Sequence, residues 1–214
     1  MTRIGNFVAT ATLIALTALP AGPLIGAAGA QTIVDKWASV PQPPAPTLKP
    51  ATIDPKTTAL LMLDFMTQNC GKRPSCMASL PNMKKLLADA RAAKVPVVYS
   101  IIGNSTTADV MPDVASLAGE PLVQSGPDKV LYTDLDKILK DKGIQTVIVT
   151  GTASNGAVLF TAAGAAFRGL NVIVPVDGMS AADPYADLAS TFMFVNSPSL
   201  STKTTLTKAD MIKF

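Results

Sequence analysis

Residues 146–177 read TVIVTGTASNGAVLFTAAGAAFRGLNVIVPVD. The stretch opens on an apolar run, Val147-Ile148-Val149, and breaks at Gly151. An Ala-rich segment follows from about Gly156 to Arg168 and is stopped by Gly169, before a second apolar run at Val172-Ile173-Val174. Short, continuous, β-branched runs are the mark of strands buried on both faces. The segment between them is long enough for a crossover helix, so the three pieces make a right-handed βαβ unit, which requires a parallel sheet.

The alternation extends in both directions. Thr58 to Leu63 is another apolar run and ends at Asp64. A helix is predicted over residues 81–94, with Pro81 at its start and Met83, Leu86, Leu87 and Ala90 on one face. Val95 to Ile102 reads as a second buried strand. Asp134–Lys142 reads as a short helix with Thr133 as its cap, Asp136 in the place of the capping-box acid and Gly143 as its stop. Thr146–Thr150 and Asn171–Val176 are the strands of the opening stretch. A helix from Asp183 to about Val195 and a last strand over Thr202–Thr207 complete the pattern. The expected fold is α/β: a three-layer α/β/α sandwich around a Rossmann-like, mostly parallel sheet of about five to six strands.

The N-terminus reads differently. Arg3 is the one charged residue before an apolar run from Phe7 to Leu19, then come Pro20, Pro23 and small residues ending Ala28-Gly29-Ala30. This is the pattern of a secretory signal peptide, with cleavage expected between Ala30 and Gln31 and a secreted or periplasmic product. The prolines and small residues argue against a stable membrane anchor. Residues 31–56 hold Trp37, in what is expected to be a short helix, and then six prolines between residues 40 and 56. They are expected to form an extended arm lying along a single domain at residues 57–214, since such a segment suits neither a helix nor a central strand.

Composition excludes whole classes of function. The chain has 214 residues, 48% of them hydrophobic, with a net charge of only +3 and no basic run, which is too thin a footprint for nucleic acid. It has no histidine, so Ser-His-Asp and Cys-His pairs and imidazole metal sites are excluded. No metal and no cofactor is expected. Cys70 and Cys76 enclose Gly71-Lys72-Arg73-Pro74-Ser75; in an exported chain this even pair is expected to be a disulfide rather than a free nucleophile.

In parallel sheets ligands gather beyond the carboxyl ends of strands. That rule selects Asp64, Thr150-Gly151-Thr152 and Asp177, of which Asp177 reads better as a turn former.

The order of these pieces resembles the isochorismatase-like, or cysteine hydrolase, superfamily. The resemblance rests on Leu60-Leu-Met-Leu-Asp64, on Lys129 ahead of Leu135, Leu139 and Gly143, and on Val147 to Asp177 with its Gly151-Thr-Ala-Ser-Asn-Gly-Ala157 turn. It implies a catalytic Asp at Asp64, a catalytic Lys at Lys129 and a small-molecule substrate, with Thr152, Ser154, Asn155 and Gly156 bordering the substrate. Homo-oligomerisation is an expectation of the same kind. The chain also departs from the pattern. Ala157 stands where the family has its nucleophilic Cys, whether by natural loss or by replacement. Met66 stands where a Gln is usual, with Gln68 two residues later, and the stretch after Lys129 is short. The metal-binding His residues of the nicotinamidase branch are absent.

The position of residue 157 still suits anion chemistry: Asn155 can cap the helix, and loop amides at its start can form an oxyanion hole. Isochorismatases proper work without the thiol, their Asp protonating a vinyl ether. A carboxyl group desolvated at the mouth of a buried strand favours its protonated form, which suits a general acid. An exported protein, however, would not ordinarily meet isochorismate, so the reaction class transfers and the substrate does not. Three functions are therefore open: a hydrolase of a vinyl ether or C–N bond using Asp64 and Lys129, an inactive relative that binds a small molecule or protein, and a hydrolase with a displaced nucleophile at Cys70, Cys76 or Ser154.

Overall fold

A computed structural model describes residues 32–214. The expected leader and its junction at Ala30/Gln31 lie outside the described residues. The chain divides into a unit ending at Gln42 and a larger one, Pro43–Phe214. In the first, α1 (Ile33–Lys36) is a single turn in which the Thr32 amide and hydroxyl donate to the Asp35 carboxylate at 2.8 and 3.0 Å.

The larger unit carries the sheet. Strand β1 (Ala51–Thr52) belongs to the Pro-rich arm, whose Lys49 amide donates to the Leu206 carbonyl at 2.9 Å. The main strands are β2 (Thr58–Leu63), β3 (Val97–Ile101), β4 (Leu122–Gln124), β5 (Thr146–Thr152), β6 (Asn171–Pro175), β7 (Met179–Ser180) and β8 (Thr204–Thr207). Six run in the order β4-β3-β2-β5-β6-β8, all pairs parallel, and β7 joins the far end of β5 at Gly151 and Thr152. A separate parallel pair joins β1 to β9 (Ile212–Lys213). The α/β sandwich is thus the observed fold, with seven strands in its main sheet.

Side chains alternate across the sheet and define the two cores. Leu60, Met62, Val97, Tyr99, Ile148 and Ile173 face the helix α2 (Pro74–Ala92). Their neighbours Leu61, Leu63, Val98, Val147, Val149 and Val172 face α3 (Leu135–Asp141), α4 (Leu159–Phe167) and α5 (Pro184–Asn196). Both faces of β2 are therefore sealed, as its unbroken apolar run requires.

Two elements differ from the sequence reading. Helix α2 begins at Pro74, not Pro81, and Pro81 sits inside it. The ring removes the N–H that would have bonded the residue four back, Met77, but Met77 is 43% exposed, where water can take the bond. The buried Cys76, Ser79 and Leu80 extend the apolar face of the helix to its new start. The Ala-rich helix is also shorter than expected: residues Ser154–Val158 form a wide π-type turn, and α4 begins only at Leu159. Strands β4, β7 and the β1–β9 pair, none longer than three residues, were not anticipated.

Candidate active site

Asp64 follows β2 directly and has a left-handed backbone, φ +55°. Asp tolerates that region better than most residues do. Its amide donates to the Ser100 carbonyl at 3.2 Å, so β3 fixes the turn. The Ser100 hydroxyl donates to Oδ1 at 2.7 Å, and the other carboxylate oxygen, Oδ2, lies 2.8 Å from Lys129 Nζ. The Lys129 and Asp64 side chains are 0% and 6% exposed, which makes this a buried ion pair. An isolated charge there would bear a large desolvation cost, and each group offsets that cost for the other.

Lys129 arrives from the loop after β4, which the sequence reading lacked. The Ser125 carbonyl accepts from Nζ at 3.3 Å, and the Lys129 amide donates to Thr161 Oγ1 on α4 at 3.1 Å. The approach of this loop depends on Gly164: a Cβ there would lie 3.0 Å from the Asp128 carboxylate. Gly151 serves β5 in the same way, with φ +140° and room for a Cβ only 2.2 Å from the Leu63 carbonyl oxygen. It allows β5 to close on β2 immediately before Asp64.

The carboxyl ends of the strands border a cleft of about 470 Å³. Of the residues expected there, Asp64, Lys129, Thr152, Gly156 and Ala157 line it. Ser154 and Asn155 do not: the wide turn buries Ser154 completely and leaves Asn155 exposed. Nor does Asn155 cap the helix with its side chain. The amides of Gly156 and Val158 already donate to the Ala153 carbonyl at 3.0 and 3.2 Å, so they are not free for an oxyanion. Gln68 does not replace the missing family Gln; its amide donates to Ser105 Oγ at 2.6 Å. Asp177 lies away from the cleft and accepts from Asn82 and from the Ala209 amide, the work of a turn former. Cys70 and Cys76 are joined by a disulfide, and Thr152 is held by Arg73 Nη1, which donates to its hydroxyl at 2.6 Å.

Three residues that matter escaped the sequence reading: Ser100, Arg73 and the Ser125 carbonyl. The rule that sites form beyond strand ends would have directed attention to the loops after β2 and β3, where Arg73 and Gly103 line the cleft. Ser100 was hidden inside an apolar strand.

Behind the wide turn, among the described residues, Ser180 Oγ is buried without a hydrogen-bond partner, and Ser154 Oγ and Asp187 Oδ1 are buried without a well-formed bond although the hydroxyl acts on the carboxylate. Burial is the main cause that raises the Asp187 carboxyl above its ordinary value; the Ser154 hydroxyl and the Ala181 amide pull it down, and the Asp183 charge adds to the rise.

The fold is a parallel α/β sandwich with a buried acid–lysine pair at its strand ends. The Isochorismatase domain family matches residues 58–205, and the chain belongs to that family. A protein of Verticillium dahliae described as a secreted isochorismatase effector, Isc1, is 26% identical over 155 residues, 65% of this chain and 82% of its own length. An isochorismatase family protein from Burkholderia thailandensis superposes with a TM-score of 0.65 at 20% identity, covering 77% of this chain and 97% of its own. N-carbamoylsarcosine amidase from Thermoplasma acidophilum gives a TM-score of 0.62 at 23% identity, covering 72% and 97%. Among the described residues, no helix is long and apolar enough to cross a membrane.

Proposed function

We propose that this chain is an exported hydrolase of a small molecule that works without a thiol, with Asp64 carrying the proton and Lys129 as its partner. The observation that carries the reading is the buried Asp64–Lys129 pair beside Ala157, in a cleft that retains the acid and the lysine but has no nucleophile at position 157. A vinyl ether is the bond that suits this apparatus best. With the pair's proton on Asp64 and Lys129 left neutral, Asp64 gives that proton to the alkene carbon, leaving a cation stabilised by the ether oxygen. Water adds to that cation and returns a proton to the Asp64 carboxylate. The hemiketal then collapses to a carbonyl compound and an alcohol. Lys129 and the Ser100 hydroxyl hold the carboxylate in place while it is charged. A C–N bond is the second candidate, with Asp64 activating the attacking water.

The relative named a secreted isochorismatase effector supports export, and it weakens the objection that an exported protein would not meet such a substrate. The leader-like sequence of residues 1–30 supports export independently. The tests are direct. The mature protein is expected outside the cytoplasm with Gln31 at its N-terminus. A screen across vinyl ethers, amides and esters shows turnover of a vinyl ether or an amide that Asp64→Asn abolishes. Absence of turnover in every class would instead make the cleft a binding site inherited without its chemistry.

A further inference from the structure

The cleft is lined by three charged side chains, Asp64, Lys129 and Arg73. Two of them neutralise each other: Lys129 Nζ is 2.8 Å from Asp64 Oδ2, and the ammonium is fully buried against that carboxylate and the Ser125 carbonyl. Arg73 has no such partner. Among the described residues no acid lies within ion-pair distance of it, and residues 1–31 contain no acid at all. Its Nη1 donates to Thr152 Oγ1 at 2.6 Å, and that hydroxyl in turn donates to the Ser180 carbonyl at 3.0 Å. This is the one side-chain hydrogen bond of the guanidinium among the described residues. A guanidinium has five N–H donors in a planar fork, so most of its capacity is unspent.

Its placement is also unusually well fixed for a loop residue. Arg73 stands midway in a loop whose ends, Cys70 and Cys76, are covalently joined, and both cysteines are buried. One side of the loop runs into α2, whose N-terminal flanking residue is Arg73 itself. The other end of the tether is Thr152, at the carboxyl end of β5. An arginine positioned from two elements, beside a neutral acid–base pair, is an anchor for a planar oxyanion.

We infer that Arg73 is the specificity residue of the cleft and selects a small molecule bearing a single carboxylate, which it holds while the reacting bond lies at the Asp64–Lys129 pair. The inference rests on the proposed hydrolytic reading for the second half of that statement alone. Lys129 is occupied by Asp64, so the cation available to substrate comes from the disulfide-closed loop. A cleft of about 470 Å³ is at the small end of ligand sites and suits a compact anion.

Binding can be measured apart from turnover. Isothermal titration of the full chain with benzoate, pyruvate and succinate, and with benzamide as a neutral control, reads the preference directly. At least one carboxylate is expected to bind the parent about tenfold or more tightly than benzamide, and Arg73→Gln is expected to lose about that factor. Arg73→Lys keeps the charge without the fork and falls between the two, provided its melting temperature matches the parent. Equal binding by the parent and Arg73→Gln, or a parent that binds no carboxylate better than benzamide, overturns the inference. Carboxylate selectivity in the parent that Arg73→Gln loses, with the Asp64–Lys129 pair left intact, supports the anchor even if no bond is ever hydrolysed. Turnover of a neutral substrate with no carboxylate selectivity would keep the hydrolase and discard the anchor.

Discussion

Asp64 and Lys129 are separated by 65 positions in sequence and by 2.8 Å in space, with both side chains buried. Neither charge can be removed alone without stranding the other. Lys129→Met is therefore expected to destabilise the fold by about 3–5 kcal/mol. Asp64→Asn in the same chain should restore part of that loss, since Asn accepts the left-handed backbone and leaves no charge unpaired. Urea unfolding of the two single variants and the double variant measures the coupling.

Gly151 of β5 stands opposite Leu63 of β2. Gly151→Ala places a methyl group 2.2 Å from the Leu63 carbonyl oxygen at a φ of +140°. The expected cost is at least about 2–3 kcal/mol, because neither backbone can yield without moving Asp64. Thermal unfolding, with circular dichroism to report folding, checks it.

Asp187 gives a pH dependence whose sign follows from its burial. A native carboxyl raised above its ordinary value of 3.8 binds its proton more tightly than the unfolded chain does. Its contribution to stability is complete below the unfolded value and is lost as pH rises through the native one. Asp187→Asn escapes that loss. The melting temperature of the variant relative to the parent should rise as pH is raised above the ordinary carboxyl value of 3.8 and through the higher native one.

Ala157 lines the cleft near the end of the wide turn, just before α4. Ala157→Cys should place a thiol there that iodoacetamide alkylates at about pH 7 faster than an ordinary cysteine, since Arg73 lines the same cleft without an acidic partner and favours the thiolate. The parent chain, whose two cysteines are joined, should not react. Mass spectrometry over a time course separates the two.

The strands were legible because burial on both faces leaves an unbroken apolar signal, although β5 runs through Gly151 to Thr152 rather than breaking at the glycine. The beginning of α2 was not. A proline is read as a helix start, and Pro81 conceals seven residues of helix that begin at another proline, Pro74. Strands of two or three residues, such as β4 and β7, are too short to carry a period. In the site, Asp64, Lys129 and Ala157 could be placed from the family pattern. Ser100 and Arg73 could not, because nothing in a strand interior or in a Cys-bounded loop reveals which way a polar side chain will be used. The wide turn at Ser154–Val158 escaped for a similar reason: one extra residue per turn is invisible in composition, yet it moves Ser154 out of the cleft.

The central claim is that hydrolysis proceeds from Asp64 without a covalent thiol step. The decisive measurement is the kcat/KM of the parent and of Asp64→Asn on the vinyl ether or amide found in the screen. General acid–base catalysis predicts a fall of about 10²–10⁴-fold in the variant, while iodoacetamide leaves the parent rate unchanged. An Asp64→Asn protein that turns over at the parent rate, or a parent rate abolished by iodoacetamide, would contradict it.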